Sequence, residues 1–171
     1  HGPKGVGILY INENVKIQPF LHGGSQERNM RAGTENLYGI VGFAKALEIA
    51  TKAYETDSMN INTIRLYMME QLKKSIPSVT FNGDPCGSSL YTVLSVNFPL
   101  TERSEMILFN MDINNICVSG GSACSSGASM GSHVMSVLNS DSDVVTVRFS
   151  FSKYNTKDEV DIVVEKIKEM I

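Results

Sequence analysis

Three features of this 171-residue sequence predict an α/β chain in two parts, in which a helix joins a glycine-rich loop-and-strand segment to a compact α+β unit. The opening "HGPKGVGILYI" runs from glycines straight into apolar residues. Two amphipathic helical patterns follow from Leu37. Beyond Pro77 the period changes, and alternating apolar positions are interspersed with further helical ones. A composition of 42% hydrophobic and 19% charged residues is that of an ordinary globular chain.

In order along the chain, Val6, Ile8, Leu9, Tyr10 and Ile11 form a nearly continuous apolar run that suits a buried strand. After the polar loop "HGGSQERNMRAGTEN", Leu37, Ile40, Val41, Ala44 and Leu47 recur at helical spacing, Phe43 widens their face, and the helix runs past Ile49 toward Tyr54. A second helix uses Ile61, Ile64, Leu66, Met68, Met69, Leu72 and Ile76, and Pro77 ends it, having no amide hydrogen to continue the ladder. Val79 to Phe81 and Val93 to Phe98 read as strands, Glu102 to Met111 as a helix, and Ile116 to Val118 and Val144 to Phe151 as two more strands. Thr156 and Glu159 have the spacing of a capping box, ahead of a last helix with Val160, Val163, Val164, Ile167 and Ile171 on one face.

A net charge of −3 and a pI near 5.6 supply no basic field, so neither nucleic acid nor an anionic membrane surface is expected as a partner. No apolar run approaches the roughly 20 residues of a membrane helix, and nothing at the start has the regions of a signal peptide, which points to the cytoplasm. The odd set Cys86, Cys117 and Cys124 argues for reduced thiols. No CxxC or HxxxH spacing supports a zinc site built from them with His22 or His133, so no metal is expected. The chain lacks an initiator methionine and opens in what reads as mid-sheet, so further sequence upstream of His1 is expected.

The run "VSGGSACSSGASMGSH" surrounds Cys124 with residues that neither pack nor restrain the backbone. A structural cysteine behaves as a small hydrophobe and sits among larger apolar neighbours. Ordering Gly120, Gly121, Gly127 and Gly131 is entropically expensive, so the segment is expected to be mobile and exposed. Two readings follow. It is a surface loop with an incidental thiol, or it is a tether that carries a thiolate nucleophile between two stations. Cys86, in "GDPCGSS", suits a turn, and Cys117, beside Val118, suits a strand core.

In this order, "HGPKGVG", "HGGSQERNMRAGTEN", "GGSACSSG" and "VRFSFSKYNTKDEVD" resemble the cysteine desulfurases of the NifS/IscS type, pyridoxal-phosphate enzymes of the class-V aminotransferase family with the aspartate-aminotransferase fold. The resemblance covers essentially the whole chain. It implies that residues 1–50 are the end of a large cofactor-binding domain with the linking helix, and that residues 51–171 are the small α+β domain. It also implies that Cys124 takes the sulfur of L-cysteine as a persulfide and leaves L-alanine. The long serine- and glycine-rich loop resembles the type that delivers sulfur to iron–sulfur cluster assembly, with an acceptor or scaffold protein as partner.

Arg148 alternates with Val147 and Phe149 and so points away from the apolar face of its strand. A solvated arginine is the plain reading, although a guanidinium also suits an amino acid's carboxylate through two parallel hydrogen bonds. The resemblance assigns it that clamp. Just after it, "FSK" departs from the family's commoner "LGR", which leaves Lys153 without an assigned role. Thr34 reads as the N-cap of the helix that carries Leu37. The resemblance instead gives it the phosphate of the neighbouring subunit's cofactor, which implies a homodimer. His22, Gly23, Gly24, Gln26, Glu27 and Arg28 would shape the interface and the cofactor mouth, and His133 reads as a local helix-start residue. In the family the cofactor-bearing lysine lies just ahead of the "GPKG" turn, so Lys4 is a different lysine and the chain alone is expected to be folded but catalytically silent. The rival readings are a selenocysteine lyase or an aminotransferase on the same fold, and a non-enzymatic thiol relay.

Overall fold

The structure, a computed structural model, describes residues 1–120, 133–138 and 143–171. The chain divides into two compact units, His1–Tyr54 and Glu55–Ile171.

In the first unit the N-terminal segment lies along the opening turns of helix α1 (Leu37–Ser75). Pro3 and Gly2 pack so closely there that a Cβ added at Gly42 would come within 2.9 Å of Pro3 Cγ, and one at Gly2 within 3.3 Å of Ala46 Cβ. The expected strand at Val6 to Ile11 does not form: no strand pairs with it among the described residues, and Ile8, Leu9 and Tyr10 are exposed. An apolar β-prone run becomes a strand only where a neighbour supplies the hydrogen-bond ladder, and none is present in this unit. The helical face read from the spacing of Leu37, Ile40, Val41 and Leu47 is exposed as well, for want of an apolar surface in this unit to pack on it. The N-terminal segment instead covers the side that carries Gly39, Gly42 and Ala46.

The two predicted helices are one. α1 continues unbroken over 39 residues, because the polar stretch from Glu55 to Asn60 contains no glycine or proline to stop it. It ends at Ser75, just ahead of Pro77. In its second half Ile61, Met68, Met69 and Leu72 are buried, whereas Leu66, placed on that face by the sequence reading, is 41% exposed.

The second unit is built on a three-stranded antiparallel sheet in the order β1 (Thr80–Phe81), β2 (Val93–Pro99), β3 (Val144–Ser150). Leu94, Val96 and Phe98 of β2 and Val147 and Phe149 of β3 form its apolar face. They share one core with Met68, Met69 and Leu72 of α1, Ile107 and Met111 of α2 (Ile107–Ile113), and Val160, Val164 and Ile167 of the last helix (Lys157–Met170). The predicted helix from Glu102 is shorter than expected, a 3₁₀ turn at Ser104–Met106 leading into α2. The buried Ser104 makes the difference, its Oγ donating to the Pro99 carbonyl (2.7 Å) and accepting from the Thr101 amide (2.8 Å) in a local turn that competes with helix. Ile116 to Val118 is not a strand; pairing there is reduced to a single bridge at Ser119. A short helix, α3 (His133–Leu138), starts at His133, and the last helix is α4. One core-level feature went unread in the sequence. Arg65, only 3% exposed, is held by Asn62 Oδ1 (3.2 and 2.8 Å) and Ser89 Oγ (3.1 Å).

Candidate functional site

Arg148 occupies the middle of β3. Val147 and Phe149 on either side face the core, so period-two alternation sends the arginine to the opposite, polar face of the sheet. Its main-chain groups bond outward, its amide to the Ser119 carbonyl (2.7 Å) and its carbonyl to the Ser119 amide (3.2 Å). The pair it makes with Ser95 across to β2 is therefore of the non-hydrogen-bonded kind, in which side chains approach more closely. Arg148 Nε is buried and has no hydrogen-bond partner among the described residues. Among the described residues no carboxylate pairs with the guanidinium. A buried N–H of this kind calls for an acceptor, and a carboxylate is the acceptor that fits a guanidinium fork best.

Around it the same face carries a polar network that sequence reasoning missed. Asn82 and Asn97 exchange amide hydrogen bonds in both directions, each 2.8 Å long. Asn82 Nδ2 also donates to Ser95 Oγ (3.0 Å) and Thr146 Oγ1 to Asn97 Oδ1 (2.7 Å). Asn82 further touches Met135 of α3 at 3.5 Å. The available signal was the alternation in β2, where Ser95 and Asn97 interrupt an otherwise apolar strand.

Cys124 lies outside the described residues. The covalent chain ties it to the site all the same. Ser119, bridged to Arg148, is five residues before it, a reach of at most about 18 Å when fully extended. Cys86 is an exposed turn residue. Cys117 is also exposed, which corrects the expectation of a strand-core thiol, since the strand that would have buried it does not form.

Thr34 belongs to the first unit and is exposed, with its hydroxyl unbonded among the described residues. It is not the N-cap of α1. Asn36 takes that position, its Oδ1 accepting from the Gly39 amide (3.1 Å) while its Nδ2 donates to the Gly5 carbonyl (3.4 Å). The helix begins at Leu37, and a cap must sit immediately before the first helical residue. The loop ahead of Thr34 is drawn together by Gln26, whose Oε1 accepts from the Gly33 amide (3.1 Å). Glu27, Arg28 and Asn29 all take left-handed backbone conformations within it (φ 48°, 56° and 66°), rare for non-glycine residues and held by the surrounding bonds. His22 and Lys4 are exposed. Lys153 forms an ion pair with Asp57 of α1 at 3.3 Å. Among the described residues no group of histidine, cysteine and acidic side chains gathers to hold a metal ion, and no helix is long and apolar enough to cross a membrane.

The aminotransferase class-V family model matches residues 1–163. The chain is similar to the cysteine desulfurase IscS of Dictyoglomus turgidum, 38% identical over 173 residues, covering 100% of this chain and 43% of that one. It is similar also to the cysteine desulfurase IscS of Methanosarcina thermophila, 40% identical over 172 residues, covering 99% and 42%. In structure it resembles a NifS-like protein with a TM-score of 0.79 at 35% identity, covering 99% of this chain and 43% of that one. The chain thus spans a little under half the length of these relatives. With the match running through both compact units, from the glycine-rich turn to the last helix, the chain belongs to the class-V aminotransferase family.

Proposed function

We propose that this chain supplies the substrate clamp and the sulfur-accepting thiol of a cysteine desulfurase, an enzyme that converts L-cysteine to L-alanine and retains the sulfur as a persulfide. The observation that carries the proposal is Arg148, with a buried, unpartnered Nε on the polar face of β3 and a main-chain bridge to the segment that leads to Cys124. Arg148 binds and orients the substrate carboxylate through its fork of N–H donors. The Cys124 thiolate then attacks the substrate sulfur and forms a sulfur–sulfur bond; the carbon–sulfur bond breaks with its electron pair left on the carbon, which takes up a proton as L-alanine forms, and the sulfur remains on Cys124 as a persulfide.

Pyridoxal phosphate, when bound, supplies the electron sink that makes that bond breakable. The first unit suits its phosphate. The Thr34 hydroxyl is exposed and uncommitted among the described residues, just ahead of the positive end of a 39-residue helix. Donated from one copy to the cofactor of another, it makes the enzyme a homodimer. The partners are L-cysteine and a sulfur-acceptor or iron–sulfur scaffold protein, and the setting is the cytoplasm, where thiols stay reduced.

The test is Cys124→Ser in the whole protein. Only a thiolate accepts the sulfur, so alanine release is expected to fall by at least about a thousandfold with cofactor binding intact, whereas Cys86→Ser and Cys117→Ser leave turnover in place. Alanine release from Cys124→Ser at the unsubstituted rate would exclude the proposal.

A further inference from the structure

We propose that Asn97, together with Asn82 and Thr146, determines whether Arg148 is available to a carboxylate, by holding the polar side chains of its face of the sheet in a hydrogen-bond network of their own in which Asn97 Oδ1 is saturated. The inference rests on the reading of Arg148 as the carboxylate clamp and adds residues to it.

A half-buried guanidinium with five N–H donors ordinarily finds acceptors among its neighbours. The polar face offers several. Ser95 lies directly opposite Arg148, Thr146 stands two residues before it on the same strand, and Asn97, the register partner of Thr146, is its diagonal neighbour. All are drawn into hydrogen bonds with one another or with Asn82, and Asn97 Oδ1 is saturated. Asn97 Oδ1 takes two hydrogen bonds, from Asn82 Nδ2 (2.8 Å) and Thr146 Oγ1 (2.7 Å), which occupy both of its lone pairs. Asn82 Oδ1 accepts from Asn97 Nδ2 (2.8 Å), and Ser95 Oγ accepts from Asn82 Nδ2 (3.0 Å). Asn97 itself is only 5% exposed, so these bonds face little competition from water.

The identity of the side chains follows from this. A reciprocal pair needs a donor and an acceptor at both ends, which asparagine provides and aspartate does not. An aspartate at 97 would break the ring and place an anion diagonal to the guanidinium, where it would capture the arginine internally. The amide network therefore keeps the polar face uncharged around a cation that no described residue pairs, and it makes Asn97, Asn82 and Thr146 positioning and specificity residues for a carboxylate ligand.

The experiment follows the Arg148 Nε–H resonance of the folded chain by nitrogen-15 NMR, assigned by its loss in Arg148→Lys, during titration with acetate as the carboxylate probe. In the unsubstituted chain the resonance is expected to shift saturably. In Asn97→Asp it should start from a displaced position and show at least about tenfold weaker acetate binding, because the internal anion competes. Since a buried carboxylate also stresses the sheet, Thr146→Val is the second variant. It removes one donor to Asn97 Oδ1, opens that oxygen to the guanidinium, and is expected to weaken acetate binding severalfold with the core resonances unmoved. Unchanged acetate affinity in a folded Asn97→Asp, or in Thr146→Val where Asn97→Asp does not fold, overturns the inference and leaves the clamp standing. An Arg148 resonance that ignores acetate in the unsubstituted chain overturns the clamp, and this inference with it.

Discussion

Arg148 shows what a single residue owes to its own strand and what it owes to its neighbours. Alternation with Val147 and Phe149 gives its direction from the sequence, because successive side chains on a strand take opposite faces. That its Nε would be buried without an acceptor among the described residues depends on what β2 and the Asn82–Asn97 pair place beside it, residues far away in the chain. Under the desulfurase proposal, Arg148→Lys keeps the charge but loses the planar fork. The KM for L-cysteine is expected to rise about tenfold, with the absorbance of the bound cofactor unchanged. Steady-state kinetics check this, and an unaltered KM would make Arg148 a plain structural residue. Thr34 carries the opposite lesson. Its position near a helix start was legible, but whether Thr34 or Asn36 caps the helix depends on where the first turn begins, and Asn36 is held there by the Gly5 carbonyl across the turn.

Among the elements, α4 was the most legible, because everything that starts it is local. The Thr156 hydroxyl accepts from the Glu159 amide (3.3 Å), and the Glu159 carboxylate accepts from the Thr156 amide (2.9 Å). The Thr156 amide, and after it the Asn155 side chain, hold the Glu159 carboxyl below the usual glutamate range. A depressed folded-state pKa stabilises above the unfolded-state value and is lost as pH falls through the folded one. The cap's pH-dependent contribution is therefore expected to be complete at neutral pH and to fade below about pH 4. Thermal melts at stepped pH should show a smaller acid-induced drop for Glu159→Gln than for the unsubstituted chain. Thr156→Ala should cost about 1 kcal/mol at neutral pH, read from denaturant unfolding. α1 was harder to read. Its two apolar patterns, separated by a polar stretch, read as two helices, whereas helix continuity requires only the absence of a breaker.

At the scale of the whole molecule the apolar burial is uneven. The core formed by β2, β3, α1, α2 and α4 lies in the unit Glu55–Ile171, whereas Ile8, Tyr10 and Phe20 of His1–Tyr54 are exposed. Hydrogen exchange is therefore expected to be slowest in β2 and α4 and fast from His1 to Asn36, where few bonds are buried. Phe98→Ala, at a side chain with 0% exposure, should cost about 3–5 kcal/mol, a large share of a domain's stability, and lower the unfolding midpoint of the second unit. The sequence by itself determined the local features: the β2 and β3 strands, the capping box, the stop before Pro77, and four motifs whose order carries the family. Each depends on residues within a few positions of one another, where periodicity and capping chemistry act. The tertiary structure alone decided which apolar runs were buried and which polar groups were satisfied. Val6 to Ile11 became no strand for want of a partner in its unit, and among the described residues Arg148 kept an unpaired N–H because asparagines 51 and 66 positions away bond each other instead. Burial and hydrogen-bond satisfaction belong to pairs of segments, and a single segment's sequence does not contain its neighbour.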